Sequence, residues 1–405
     1  METFPAESKF DPRNTSGAWT VEHSHTITYE VRICKGLLDL ENPVLAESCL
    51  SRQDREHQVL IVLDDAVNEI YRQEIHSYFV HWGLVPSYMV LEGNEGTKDV
   101  ESAMKVAARI GEVGLLRRSE KVVVIGGGVV MDVVGMAASL FRRGVPYVRV
   151  PTTLLGQVDA GVGVKTGVNY GDHKNRLGTY YAPACSLIDP TFLSSVPHRH
   201  IVNGLAEVVK MALVKDAALF NLLENSLLQL SGGGFGSHSP IHGEIIRRSV
   251  SGMLEELEPN LHESNLERIV DFGHTFSPSL ELIADPPVLH GEAVAIDMAV
   301  CVALSHDRRL LTEQEAVRVY RLLTGIGLPV SDGLFTPELL VKALNDTVKH
   351  RDGKQRLPLL IGIGKADFFN DVSSFELHKA VRSVNRLEKL AVGPVLPEQR
   401  QAAEA

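Results

Sequence analysis

The chain has 405 residues, 44% hydrophobic and 22% charged, with a formal net charge of −11. That length allows two domains, and the balance is that of a soluble globular protein. The negative charge argues against a general nucleic-acid surface while permitting a local cationic pocket, and no apolar run approaches the ~20 residues of a membrane span.

The first stretch, METFPAESKFDPRNTSGAW, lacks the basic-then-apolar pattern of a secretion signal. Cys34, Cys49, Cys185 and Cys301 are far apart with no CxxC spacing, and read as reduced thiols in a cytoplasmic protein. VLIVLDDAV (59–67) is an apolar run ending in carboxylates, the form of a buried strand with acids at its carboxyl end. YMVLEGNEGTK (88–98) repeats that form, and DVESAMKVAARIGEVG (99–114) has helical period with Asp99 placed to start it. KVVVIGGGVVMDVVGMAASLFRRG (121–144) reads as strand, triple-glycine turn and small-residue helix, and PYVRVPTTLLGQVDA (146–160) opens with another strand. Such alternation predicts a parallel sheet with helices on its faces.

The stretch GVKTGVNYGDHKNRLGTYYAP (163–183) reads as a loop carrying Lys165, Lys174, Asn175 and Arg176, a composition suited to a phosphate or to plain solvent. From about residue 201 the texture becomes helical, at 202–230, 241–258, 290–310 and 312–327, with a loop at 231–240 and a polar, frayed tail LPEQRQAAEA. The expected division is therefore an α/β domain over 1–200 and an all-α domain over 201–405.

Three groups of residues carry possible chemistry. The glycine turn after a strand lets backbone N–H groups approach phosphate at a helix N-terminus, although GGGVVMDVVG is not a true G-x-G-x-x-G and a bare tight turn fits it equally. Asp64, Glu95 and the PTT hydroxyls also follow strands, where they can meet a ribose, or simply cap helices. Glu207 and Lys210 lie three apart on an apolar helix, hence on one face. With His274 and His290, Glu207 completes a two-His, one-Glu set of the kind that holds catalytic zinc. The long, irregular spacing leaves hydrogen-bonded core histidines as the alternative.

GGGVVMD, PTT then VDA, KTGVN then KN, AEVVK, GHTF and HGEAV occur in this order over roughly 60–365. Together they resemble the sugar phosphate cyclase superfamily, typified by dehydroquinate synthase. The resemblance implies a Rossmann-like NAD-binding α/β domain, a helical domain and an active site between them. It implies bound NAD and a divalent metal (zinc, with cobalt as alternative) held by Glu207, His274 and His290. It puts NAD against Asp64, Glu95, Lys98, Gly127, Gly128, Val129, Val130, Met131, Asp132, Thr152, Thr153 and the segment Phe192, Leu193, Ser194, Ser195, with Lys165 and Lys174 serving cofactor and substrate together. It gives Arg143, Asp159, Lys165, Lys174, Asn175 and Lys210 catalytic or phosphate-binding places.

The departures point to a branch. Dehydroquinate synthases read N-x-GHT-x-x-H, whereas this chain reads DFGHTFSP, with Asp271 for Asn and Pro278 for His. Their two carboxylate-binding cations align with Met253 and Glu267, with Arg268 one residue away, and a late lysine aligns with His350. These changes are similar to those of the 2-epi-5-epi-valiolone synthases, which cyclise sedoheptulose 7-phosphate, a substrate without a carboxylate; Asp271 and His350 are then expected to orient its hydroxyls. The alternatives are a dehydroquinate synthase, a sister cyclase making 2-epi-valiolone or desmethyl-4-deoxygadusol, and a metal-dependent alcohol dehydrogenase. The expected partners are a sugar phosphate and a second copy of the chain, with neither nucleic acid nor membrane.

Overall fold

The protein is described by a computed structural model covering residues 19, 21, 23–50, 57–171, 173–231, 235 and 239–392. The tail at 396–405, expected to fray, and most of the stretch at 231–240, expected as a loop, fall outside those residues. In chain order the first half comprises β1 (Glu30–Ile33), α1 (Val44–Cys49), β2 (His57–Asp64), α2 (Asp65–His81), β3 (Leu84–Leu91), α3 (Val100–Val113), β4 (Val122–Gly126), α4 (Gly128–Leu140), β5 (Tyr147–Pro151), β6 (Lys165–Tyr170), β7 (His173–Tyr180) and β8 (Cys185–Ile188). The second half comprises α5 (His198–Val214), α6 (Ala217–Asn225), α7 (Leu227–Ser231), α8 (Pro240–Leu257), α9 (Ser277–Ile283), α10 (His290–Asp307), α11 (Glu313–Ile326), α12 (Pro337–His350), β9 (Leu357–Gly362), β10 (Lys365–Phe369) and α13 (Ser374–Val392).

Six strands form one parallel sheet in the order β1-β8-β5-β4-β2-β3. Its centre is apolar on both faces: Val59 to Leu63 of β2 and Val122 to Ile125 of β4 are fully covered by helices. The chain runs from β2 outward to β3, then crosses back to lay β4 on the other side of β2. That reversal opens a crevice at the carboxyl ends of β2 and β4, where doubly wound sheets take ligands.

Two expectations need revision. The 163–183 stretch is an antiparallel hairpin of β6 and β7, closed by Thr166 and Thr179, whose hydroxyls lie 2.9 Å apart. The second half is helical but also contains the β9–β10 hairpin. The four cysteines are unpaired, and among the described residues no helix is long and apolar enough to cross a membrane.

The helical half is organised around α5 and α10. Residues 201–214 of α5 and 293–305 of α10 are buried without interruption, as expected for helices enclosed by others. Small residues let the two meet closely. A Cβ on Gly291 would stand 2.0 Å from the carbonyl oxygen of Asn203, and the Gly291 N–H donates to Asn203 Oδ1 at 2.6 Å, satisfying one of the unpaired donors at the start of α10. Because the obstacle is backbone, a side chain there must push the helices apart. Gly291→Ala is expected to cost about 1–3 kcal/mol of stability, read as a lowered urea midpoint with unchanged m-value.

Candidate active site

Glu207 lies in the middle of α5, His274 in the turn before α9 and His290 at the first residue of α10. One ligand atom from each falls within 4.8 Å of the others. Glu207 Oε1 is 3.3 Å from His290 Nε2 and 3.6 Å from His274 Nε2. Nitrogen and oxygen atoms bound at ~2.0–2.1 Å around one tetrahedral cation stand ~3.4 Å apart, so the spacing suits a shared metal. Both Glu207 oxygens are buried without an aligned hydrogen-bond donor. Lys210 Nζ pairs closely with Oε2, leaving Oε1 turned toward the two imidazoles. His274 Nδ1 is 3.2 Å from the Phe272 carbonyl and His290 Nδ1 is 3.1 Å from Glu281 Oε1. Donating from Nδ1 gives each ring an Nε2 lone pair on the side where Glu207 lies. These residues fit a divalent metal.

The electrostatics agree. Burial alone would raise the Glu207 carboxyl, but Lys210, His274 and His290 together hold it well below the usual carboxylate range. Burial, and then Lys210, lower His274. Burial opposes charge on His290, yet hydrogen bonds to Glu207 and Glu281 push it up to about 10.

A second cluster lies at the crevice. Asp64, at the end of β2, caps α2 by accepting from the Ala66 N–H at 3.1 Å, and burial raises its carboxyl. A Cβ on Gly126 would stand 2.8 Å from Asp64 Cβ, and one on Gly93 would stand 2.1 Å from Asp64 Oδ2. Glycine is therefore needed for close approach at this turn. Gly128, Val129 and Val130 begin α4, while the Met131 N–H is already bonded to Gly127 O. The Val130 and Met131 side chains belong to the core. Lys98 Nζ reaches Asp132 Oδ2 at 2.7 Å and Asn175 Oδ1 at 2.6 Å. Asp132 and then Glu95 outweigh burial to keep Lys98 charged. Glu95 is exposed after β3 and accepts from Asn169 Nδ2 at 2.9 Å. Thr152 is buried, and Thr153 Oγ1 accepts from the Gly156 N–H at 3.1 Å. Phe192 and Leu193 pack in the core, and the Ser194 and Ser195 hydroxyls bond to carbonyls of their own turn, at Thr191 and Phe192.

The hairpin spans the two clusters. Lys174 Nζ lies 3.0 Å from Glu281 Oε2 and 4.0 Å from Glu95 Oε1. Lys165 pairs with Glu263. Burial and then Arg268 push Lys165 down to about 8; since 56% of its side chain is accessible, the repulsion is the more secure cause. Asp159 and Asp271 both act on Lys165 and on Lys210. The buried Arg149 of β5 donates to the carbonyls of Gly163 at 2.5 Å and Lys165 at 3.0 Å, fixing the stretch between Asp159 and Lys165.

Several expected residues are placed elsewhere. Arg143 is exposed beyond the far end of α4; thirteen residues at ~1.5 Å each put it about 20 Å from the glycine turn, so within one chain it does not join the cationic set. His350 is exposed at the end of α12, and Arg351 turns inward instead, 3.5 Å from Asp271 Oδ2 and 3.4 Å from Thr275 Oγ1. Asp271 is paired with Arg268 and Arg351. Met253 is buried in the helical core and Glu267 is exposed. Arg268 has its guanidinium held by Glu263 and Asp271. Pro278 occupies the first turn of α9, where a missing N–H costs nothing. The sequence reading passed over Glu281; its only local sign is a carboxylate on the short helix between the two histidines.

Residues 88–203 match the 3-dehydroquinate synthase N-terminal family model and residues 204–350 match the C-terminal one. A 2-epi-5-epi-valiolone synthase from Actinoplanes sp. (strain ATCC 31044 / CBS 674.73 / SE50/110) is 46% identical, covering 93% of this chain and 95% of that protein. One from Actinomyces sp is 45% identical, covering 91% and 98%. A solved 2-epi-5-epi-valiolone synthase from Streptomyces hygroscopicus subsp. jinggangensis 5008, with NAD+ and Zn2+ bound, superposes with a TM-score of 0.86 at 45% identity, covering 91% of this chain and 99% of that one.

Metal uptake should displace the His290 proton. The raised value means the imidazolium stabilises the metal-free protein fully below about 6.5 and less as pH rises through about 10. A cation competes with that proton, so its affinity is expected to fall about tenfold per unit of acidification between those limits. Calorimetric titration with zinc in two buffers of different ionisation enthalpy should count about one proton released. Glu207→Gln and His274→Ala should each abolish stoichiometric binding.

Proposed function

This chain belongs to the 3-dehydroquinate synthase family, and from that premise we propose that it is a sugar phosphate cyclase converting sedoheptulose 7-phosphate to 2-epi-5-epi-valiolone and inorganic phosphate. The observation that carries this reading is the 45–46% identity to 2-epi-5-epi-valiolone synthases over more than nine-tenths of both chains. The solved relative's NAD+ and Zn2+ support the same two groups here.

Glu207, His274 and His290 would hold the metal. The crevice made by Asp64, Gly127, Gly128 and the first turn of α4 would hold NAD, with Lys98 and Asp132 beside it. When bound, the two groups supply reversible oxidation of one secondary alcohol, so that phosphate leaves by β-elimination and the cofactor is regenerated before the ring closes. The chain's own part is to hold charge and protons. Lys210, paired with Glu207, and Lys174, paired with Glu281, stand beside the metal ligands, and with Lys165 and Asn175 they would suit a phosphate dianion. Lys165, at about 8, is the member of that set best placed to exchange a proton near neutral pH.

Arg268 favours a neutral substrate over an acid one. Its guanidinium is balanced by two carboxylates, Glu263 and Asp271. Those carboxylates are shared with Lys165 and Arg351, so an entering carboxylate would have to break existing pairs to reach the guanidinium. We also take the enzyme to work in the cytoplasm as a homodimer, with the domain boundary between 200 and 201, within the first turn of α5.

Phosphate-release assays on two substrates test the proposal. Sedoheptulose 7-phosphate should turn over, giving 2-epi-5-epi-valiolone by NMR. The acid phosphate used by 3-dehydroquinate synthases should be slower by about 10⁴ in kcat/KM. Preference for the acid would make Arg268 a carboxylate binder and the enzyme a 3-dehydroquinate synthase. During turnover NADH should stay far below one equivalent per substrate; accumulation to one equivalent would indicate a dehydrogenase.

A further inference from the structure

Glu281 has no place in the cationic set or the metal triad, yet it touches both. Its side chain is 8% exposed. One oxygen faces His290 Nδ1 at 3.1 Å and the other faces Lys174 Nζ at 3.0 Å. Its two partners come from opposite sides of the cleft, β7 of the sheet half and α10 of the helical half.

The helix that carries it is itself fixed. Asp297, fully buried on α10, accepts from the Phe276 N–H at 2.5 Å and the Ser277 N–H at 2.8 Å at the start of α9. Ser277 Oγ donates to the Gly273 carbonyl at 2.8 Å. α9 is therefore tied at its beginning to the same helix whose first residue is His290. A carboxylate one helical turn along α9, with its second oxygen taken by Lys174, has little freedom to rotate.

We propose that Glu281 is the positioning residue of the metal centre: it fixes His290 as the Nδ1–H tautomer with Nε2 toward Glu207, and Lys174 sets the orientation of that carboxylate. This rests on Glu207, His274 and His290 being the metal ligands, as in the proposed function. A carboxylate behind a ligating imidazole raises its basicity and fixes its plane, and losing such a partner typically costs 10–100-fold in metal affinity.

The test needs no turnover. Cobalt affinity is measured by competition with a chromophoric chelator on NAD-loaded native protein and on Glu281→Gln, which keeps the shape but removes the charge. The variant is expected to bind cobalt 10–100-fold more weakly, with its NAD affinity unchanged. Proton NMR of the cobalt-loaded proteins supplies an internal control. The native protein should show two shifted, exchangeable imidazole protons, one from His274 against the Phe272 carbonyl and one from His290 against Glu281. In the variant one should move or exchange faster while the other stays. Cobalt affinity within threefold of native, or both resonances unmoved, overturns the proposal. Should the variant fail to fold, the native spectrum decides: a single exchangeable imidazole proton overturns it and two support it. An unexpected product from the sugar phosphate would refute the proposed function and leave these readouts unchanged.

Discussion

Glu207 is a carboxylate inside a helix that is otherwise apolar, with 1% of its side chain exposed. Taking such a charge out of water costs several kcal/mol unless cations and donors meet it. Here that requirement gathers the surroundings: Lys210 beside one oxygen, the imidazoles of His274 and His290 around the other, and Glu281 and Asp159 to balance the cations in turn. A divalent ion among them adds the positive charge the set is built to share. Removing one member would strand another, so these residues are best understood as a unit.

The sheet half contributes differently. Its central strands β2 and β4 are held by apolar cover on both faces, and their acidic and glycine residues come where those strands end. Asp64, the glycine turn, Thr152 and Thr153 are therefore neighbours through topology, because β2, β4 and β5 stop at one edge. Arg149 also lies inside the layer, and its two terminal nitrogens donate to backbone carbonyls of the stretch that leads to Lys165.

What the sequence made legible follows from this division. Apolar runs ending in acids or glycine marked β2 and β4, and helical period marked α3, since each signal is local. The β6–β7 hairpin was not legible. Its residues are Lys, Asn, Gly and Tyr without apolar alternation, and it is held by pairing and by Arg149 from elsewhere. Ordered motifs brought together Glu207, His274 and His290, and also Lys98, Asp132 and Asn175. They did not reveal which way a side chain turns where neighbours in sequence face opposite ways, as with exposed His350 and buried Arg351. Glu281 had only a weak local mark, and one of its two partners, Lys174, lies 107 positions away.

The contact between Gly291 and Asn203 bears on which ions the centre can accept. Glu207 sits one helical turn beyond Asn203 on α5, and His290 immediately precedes Gly291 on α10, so a backbone stop lies next to the ligands. Helices already in contact cannot close further around a small ion, and they open only by giving up packing. The aperture is thus set by main chain rather than by the reach of side chains. Ions that bind imidazole at ~2.0–2.1 Å suit it. Calcium, which asks for six to eight oxygens at 2.3–2.6 Å, is refused by the rigidity of the crossing as much as by the chemistry of the donors.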